Sequence, residues 1–209
     1  MRMSYNQIAG HSVERLAALS DGVFAVAMTL LVLDLKAPAA ELIHSDGDLW
    51  KAIGALGPRL LMYVMSFLTL GIFWVGQQTQ LNHLQRSDRS LTWIHLSFLF
   101  AVSIVPFSTT LLAEFTGFKP ALIVYWFNIA LLGATLYLSW ACATGTGLLR
   151  PDTPAQVAQA VKRRIVIAQA LYAGGALLCL IDNYWGIAVI VSVQLFYAIA
   201  PKVNWRKRS

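Results

Sequence analysis

The chain has 209 residues, 57% hydrophobic and 12% charged, with a formal charge of +6 and a mean hydropathy of +0.61. Soluble domains carry about a quarter charged residues, so this balance excludes an ordinary soluble protein, and it is the reverse of the dense charge and low hydrophobicity that keep a chain disordered. The composition predicts an all-α integral membrane protein: six spanning helices of about 20 residues use roughly 120 residues, and no room is left for a separate soluble domain.

In chain order, the first helix is expected at about 15–35 and the second at about 49–79, where Pro58 kinks or restarts it. Helices three and four follow at about 91–115 and 121–143, then a loop marked by Thr144, Gly145, Thr146, Gly147 and Pro151. Thr153 and Pro154 read as N-cap and first residue of an amphipathic stretch that becomes helix five at about 164–181; helix six covers about 184–200. All six form one domain, 1–209. Ala37, Pro38, Ala39 and Ala40 loosely resemble a signal-peptidase site. The apolar run before them is too long for a leader and contains Ser20 and Asp21, so the segment is kept as a mature helix.

Six helices put both termini on one side. That side collects Arg2, Arg15, Arg86, Arg89, Arg150, Lys162, Arg163, Arg164, Lys202, Arg206, Lys207 and Arg208, twelve of the sixteen basic residues. Lys36, Lys51, Arg59 and Lys119 lie opposite, with Asp34, Glu41, Asp46, Asp48, Glu114 and Asp182. The positive-inside bias therefore places both termini in the cytoplasm of a multi-pass protein of the plasma (inner) membrane. It also explains the net charge without a nucleic-acid partner. The cluster Arg206, Lys207, Arg208 then reads as a cytoplasmic anchor.

No catalytic or phosphate-binding motif is present, so an enzyme is not expected and no cofactor is implied. Cys142 and Cys179 sit in apolar runs, and the four histidines, His11, His44, His83 and His95, share no ligand spacing. His95 alone falls within a span and reads as a hydrogen-bonded structural residue. Neither a T-V-G-Y-G filter nor an Arg-rich voltage sensor occurs, and no inverted repeat relates the two halves.

The first helix stands apart. At about 100° per residue, Arg15, Leu19, Gly22, Val26, Thr29 and Leu33 fall within roughly 40° of one line, while Ser20 and Asp21 point elsewhere. Such a stripe reads first as helix packing and second as a pore lining. Asp21 is either a transport carboxylate or a clasp to a neighbouring helix; the clasp is favoured, with His83, Gln77 or Gln78 as partners.

The residues Arg15-x-x-x-Leu19-Ser20-Asp21-Gly22, followed by Ala25, Thr29, Leu30 and Leu33, resemble the R-x-x-x-F-S-D signature opening the first helix of the potassium channels called transmembrane protein 175. Ser66-Phe67 through Ile72-Phe73-Trp74 resembles that family's second helix and Val105-Pro106-Phe107-Ser108-Thr109 its third, so about half the chain takes part, in order. Leu19 departs from the usual Phe, and Gln77 and Gln78 stand where the family commonly has histidine. The resemblance implies a homotetramer of six-helix subunits without a pore loop, with a central cation pathway lined by four copies of the first helix. Carried over, the pore face is Val26, Thr29, Leu30 and Leu33. Val26 and Leu33 would be apolar constrictions, and permeant K+, not a tightly bound metal, would pass near the Thr29 hydroxyl. The expected partners are other copies of the chain, the lipid bilayer and monovalent cations. A passive potassium-selective channel leads; a proton-coupled secondary transporter using Asp21 is the alternative, and a membrane assembly protein without transport is the third reading.

Overall fold

The computed structural model describes residues 12–179 and 183–199. The predicted roles of Arg2, His11, Asp182, Lys202 and the Arg206, Lys207, Arg208 cluster lie outside them. All long elements are helical: α1 Val13–Leu30, α2 Asp46–Ala55, α3 Gly57–Asn82, α4 Arg89–Glu114, α5 Lys119–Gly145, α6 Ala155–Leu178 and α7 Asn183–Ile199. The last turn of α1 tightens into a 3-10 segment, Leu31–Asp34.

Among the described residues four segments, Val13–Asp34, Gly57–Asn82, Arg89–Glu114 and Lys119–Gly145, are long and apolar enough to cross a membrane. The last two helices do not meet that measure: α6 carries Lys162, Arg163 and Arg164 in its body, and the apolar part of α7 is short, Trp185–Tyr197.

Local chemistry sets the boundaries. Ser12 and Asp88 cap α1 and α4, accepting from the backbone N–H of Arg15 (3.2 Å) and Leu91 (2.7 Å). Pro58 restarts the second hydrophobic stretch rather than kinking it: α2 ends at Ala55 and Pro58 occupies the first turn of α3, where its missing N–H costs nothing. The expected cap of α6 shifts by one residue. Thr153 N–H closes a turn on Arg150 O (3.0 Å), so Pro154 becomes the N-cap and the amphipathic stretch and fifth helix are one continuous element from Ala155.

Pro106 lies inside α4, which continues unbroken past it. Beside it Asn128 of α5 donates its amide N–H to Ala101 O (3.0 Å), and its oxygen accepts from Ser108 Oγ (3.1 Å) and Val105 N (3.2 Å). Thr109 Oγ1 bonds Val105 O (2.8 Å) and Ser66 Oγ (2.7 Å), so side chains satisfy the backbone next to the proline in a setting without water. Below this point Phe24, Phe73 and Phe98 tie α1, α3 and α4 together, with Phe98 centroids 5.9 and 6.4 Å from the other two.

Helices α6 and α7 cross at small residues. A Cβ on Gly175 would lie 2.8 Å from Ile190 Cγ1, and one on Gly186 would overlap the Cys179 side chain and approach its backbone nitrogen to 2.9 Å. Gly186→Val should therefore pry the hairpin apart, costing about 1–3 kcal/mol by overpacking. Gly174→Ala, which meets no atom within 4 Å, should be silent in the same thermal-unfolding measurement of purified protein.

The two ends of the bundle match the charge sorting. At one end the α3–α4 and α5–α6 connections are pinned by Gln85 N to Leu148 O (2.9 Å), Arg150 N to His83 O (2.9 Å) and Arg150 Nε to Leu84 O (3.3 Å). At the other, Arg59 and Glu114 form an ion pair at 4.0 Å. Loops that the sequence assigned to one side do share a side.

Candidate functional site: the open face of α1 and the clasp behind it

The first helix is divided sharply. Leu16, Ser20, Phe24, Ala27 and Leu31 are buried against α3 and α4. Their spacings of four, four, three and four residues trace one helix face. The opposite face carries Arg15, Leu19, Gly22, Val26, Thr29, Leu30 and Leu33, all exposed. Val26 is 57% and Leu33 68% exposed, although this is the most hydropathic of the candidate spans. So the predicted pore-lining residues stand together on the face that the described part of the subunit leaves uncovered.

A shallow cleft runs along the edge of this face, lined by Leu19, Gly22, Val23, Val26, Ala27 and Leu30 with Ser103 of α4. Thr29 Oγ1 gives its proton back to the helix, bonding Ala25 O and Val26 O, both at 2.9 Å. Its lone pairs remain as the polar acceptor between two apolar positions.

Behind the face lies the clasp. Asp21 Oδ1 accepts from Trp74 Nε1 (2.8 Å) and from Gln78 Nε2 (2.7 Å), both on α3. Trp74 and Gln78 are four residues apart and therefore on one face of α3. Of the three partners anticipated for Asp21, Gln78 is the one that reaches it. His83 turns back to Thr79 O (2.8 Å) and packs edge-on against Trp140. Trp74 was not among them, although an indole N–H in apolar surroundings must find an acceptor and few exist at this depth.

Gln77 serves the residue next to Asp21. Ser20 is fully buried, donates to Leu16 O (2.7 Å), accepts from Gln77 Nε2 (2.7 Å) and lies 2.7 Å from His95 Nε2. With the imidazole proton on Nε2, His95 donates to Ser20 and all three bonds at the hydroxyl are consistent. His95 is thus hydrogen-bonded, as its place within a span suggested, and joins α1, α3 and α4 at one hydroxyl. Ser20→Ala should consequently cost more than the ~0.6 kcal/mol of one hydrogen bond between membrane helices. It strands two donors, each worth about 1–3 kcal/mol. Ser20→Ala combined with His95→Phe should recover part of the loss in a double-mutant unfolding cycle.

Among the described residues no group of His, Cys, Asp and Glu could hold a metal ion. What the arrangement offers is an apolar surface with one hydroxyl, held rigidly from behind by polar bonds.

Residues 15–106 match the family model described as the endosomal/lysosomal potassium channel TMEM175. The chain is 37% identical over 163 residues, 76% of its length and 78% of the relative, to a potassium channel of Streptomyces collinus. It is 33% identical over 100 residues to the endosomal/lysosomal proton channel TMEM175 of Mus musculus, covering 46% of this chain and 20% of that one. The crystal structure of a lysosomal potassium-selective channel TMEM175 homolog from Chamaesiphon minutus superposes with a TM-score of 0.79 at 25% identity, over 90% of this chain and 97% of that one.

Proposed function

The chain belongs to the TMEM175 potassium-channel family, and on that premise we propose how its own residues make the pathway. It is a membrane channel for potassium, not an enzyme. Four copies assemble with their α1 helices around a central axis, each subunit crossing the inner membrane six times with both termini in the cytoplasm. Potassium crosses passively, and no resident cofactor takes part.

One observation supports this reading above the rest: α1 buries Ser20, Phe24 and Ala27 in its own subunit and leaves Val26, Thr29, Leu30 and Leu33 bare. A strip that alternates apolar side chains with a single hydroxyl is suited to a narrow passage in which an ion sheds water and regains little. Selectivity then rests on the width of the rings and on the Thr29 oxygen, and discrimination of potassium over sodium is modest. Arg15 lies on the same exposed line at the inner end, where its long side chain leaves the axis toward the cytoplasm.

Asp21 supports the channel over the transporter. Its carboxylate is engaged by two α3 donors, an arrangement that holds helices together and would have to be broken in every cycle of a proton carrier.

Purified protein in liposomes under a potassium gradient tests the assignment. Passive, non-saturating potassium flux without a proton gradient is expected, with slower sodium flux. Flux that saturates or requires a proton gradient would establish the transporter, and absence of any ion flux would leave only an assembly role.

A further inference from the structure

A second cleft lies far from α1, between α3, α5, α6 and α7. It has a volume of about 210 Å³ and is walled by Ile72, Leu136, Val161, Ile165, Ala168 and Tyr172. Pockets that enclose a drug-sized molecule begin at about 300 Å³, so this one holds part of a long ligand rather than a whole small one. Arg164 stands at its rim, with its guanidinium carbon 5.5 Å from the centroid of the Tyr197 ring.

Three features limit what fits. The wall surface is mostly apolar, though Gln169, Tyr172 and Tyr197 also line it, and two polar members near the basic end of the bundle are already engaged: Thr79 Oγ1 bonds Val75 O (2.7 Å) and Gln80 Nε2 bonds Leu136 O (3.1 Å). Arg164 has no carboxylate or carbonyl partner among the described residues, yet a guanidinium held by its face keeps five in-plane donors for a planar or tetrahedral anion. The depth is that of the basic side of the bundle. Arg164 stands over Tyr197, two residues before the end of α7 at Ile199, and Thr79, three residues before the end of α3 at Asn82, lines the same cleft.

A mostly apolar slot, with at its basic-side rim an arginine that has no carboxylate or carbonyl partner among the described residues, matches a molecule with an acyl chain and a phosphate. We propose that this cleft binds one anionic phospholipid of the leaflet on the basic side, its phosphate on Arg164 and part of one acyl chain between α6 and α3. The proposal rests on the reading above in one respect, that α6 and α7 face lipid rather than a neighbouring subunit. The neighbouring Lys162 does not share the role, because its ammonium sits over the Tyr137 ring, 5.4 Å from the centroid, and it does not line the cleft.

Native mass spectrometry of the purified full-length assembly tests this, after delipidation and incubation with phosphatidylglycerol and phosphatidylcholine of identical chains. The wild type should retain phosphatidylglycerol in preference. Arg164→Gln should weaken that retention about fivefold, which corresponds to about 1 kcal/mol for one basic residue at an anionic surface, and leave phosphatidylcholine unchanged. Ala168→Phe, which fills the slot and spares the charge, should lower retention of both lipids. Lys162→Gln should change neither.

Equal phosphatidylglycerol retention by wild type and both cleft variants overturns the proposal. So does a loss in Lys162→Gln as large as in Arg164→Gln, which would mark a diffuse surface charge, or displacement of the lipid by inorganic phosphate alone, which would mark a free-anion site. Ion flux is not part of the readout. A protein that retains phosphatidylglycerol through Arg164 but passes no potassium would support the lipid site and refute the channel reading.

Discussion

Asp21→Ala should reduce the yield of assembled protein before it alters ion preference. The substitution removes the acceptor for Trp74 Nε1 and Gln78 Nε2, which lie 2.8 and 2.7 Å from Oδ1. Both donors are left in a setting where water is scarce, and an unsatisfied donor costs about 1–3 kcal/mol. Asp21 is itself exposed in the single subunit, so the smaller figure per donor applies, and two donors together, about 2 kcal/mol, still correspond to a roughly thirtyfold drop in the folding equilibrium. Asp21→Asn keeps the oxygen acceptor and should retain most of the yield, because both bonds come from neutral donors. Size-exclusion yield and liposome flux, measured on the same preparation, separate the outcomes. A well-assembled Asp21→Ala protein with a changed potassium-to-sodium ratio would show that the carboxylate acts on the ion and is not a clasp.

The same residues show what the sequence could and could not tell. Loop sidedness was legible because charge alone sorts it, and the bonds between the Leu84 and Leu148 regions fit that sorting. The open face of α1 was legible only as a line of residues. In a membrane helix apolarity does not mark the buried side, since lipid tails are as apolar as leucine, and here buried Leu31 and exposed Leu30 and Leu33 look alike in sequence. The polar residues carried more information. Ser20, Gln77 and His95 each need a partner at depth, and Gln77 and His95 both meet the Ser20 hydroxyl. The choice among Gln77, Gln78 and His83 for Asp21 was not legible, because successive residues differ by about 100° and the reach of each depends on how α1 crosses α3. Trp74, one turn from Gln78 on the same face, brings the second donor.

The constriction carries the largest functional expectation. As a plain α-helix, Val26 and Leu33 would be separated by roughly 10 Å. Because the chain tightens to a 3-10 turn over Leu31–Asp34, the rise there is about 2.0 Å per residue with three residues per turn. That lengthens the separation to roughly 12 Å and stacks Leu33 directly above Leu30. In the proposed tetramer Leu30 and Leu33, 45% and 68% exposed, would form one tall apolar collar, with Val26 as a second ring below the Thr29 oxygen. A narrow apolar ring sheds water and makes an ion do the same, so it serves as gate and crude filter together. Leu33→Asn should let water stay, raising conductance several-fold and reducing discrimination among alkali cations, and Val26→Asn should act in the same direction. Thr29→Val should change potassium permeation more than assembly, because its hydroxyl bonds only to its own helix. Leu31 points away from this face but is no silent control: it is 2% exposed in the core, and Leu31→Ala should cost about 2–5 kcal/mol of stability. Val32, 46% exposed and about 120° from Leu33 in a 3-10 turn, is the better control, and Val32→Ala should leave flux unchanged. If Leu33→Asn and Val26→Asn, in well-assembled protein, alter neither conductance nor ion preference, the open face of α1 does not line the pathway and ions cross elsewhere.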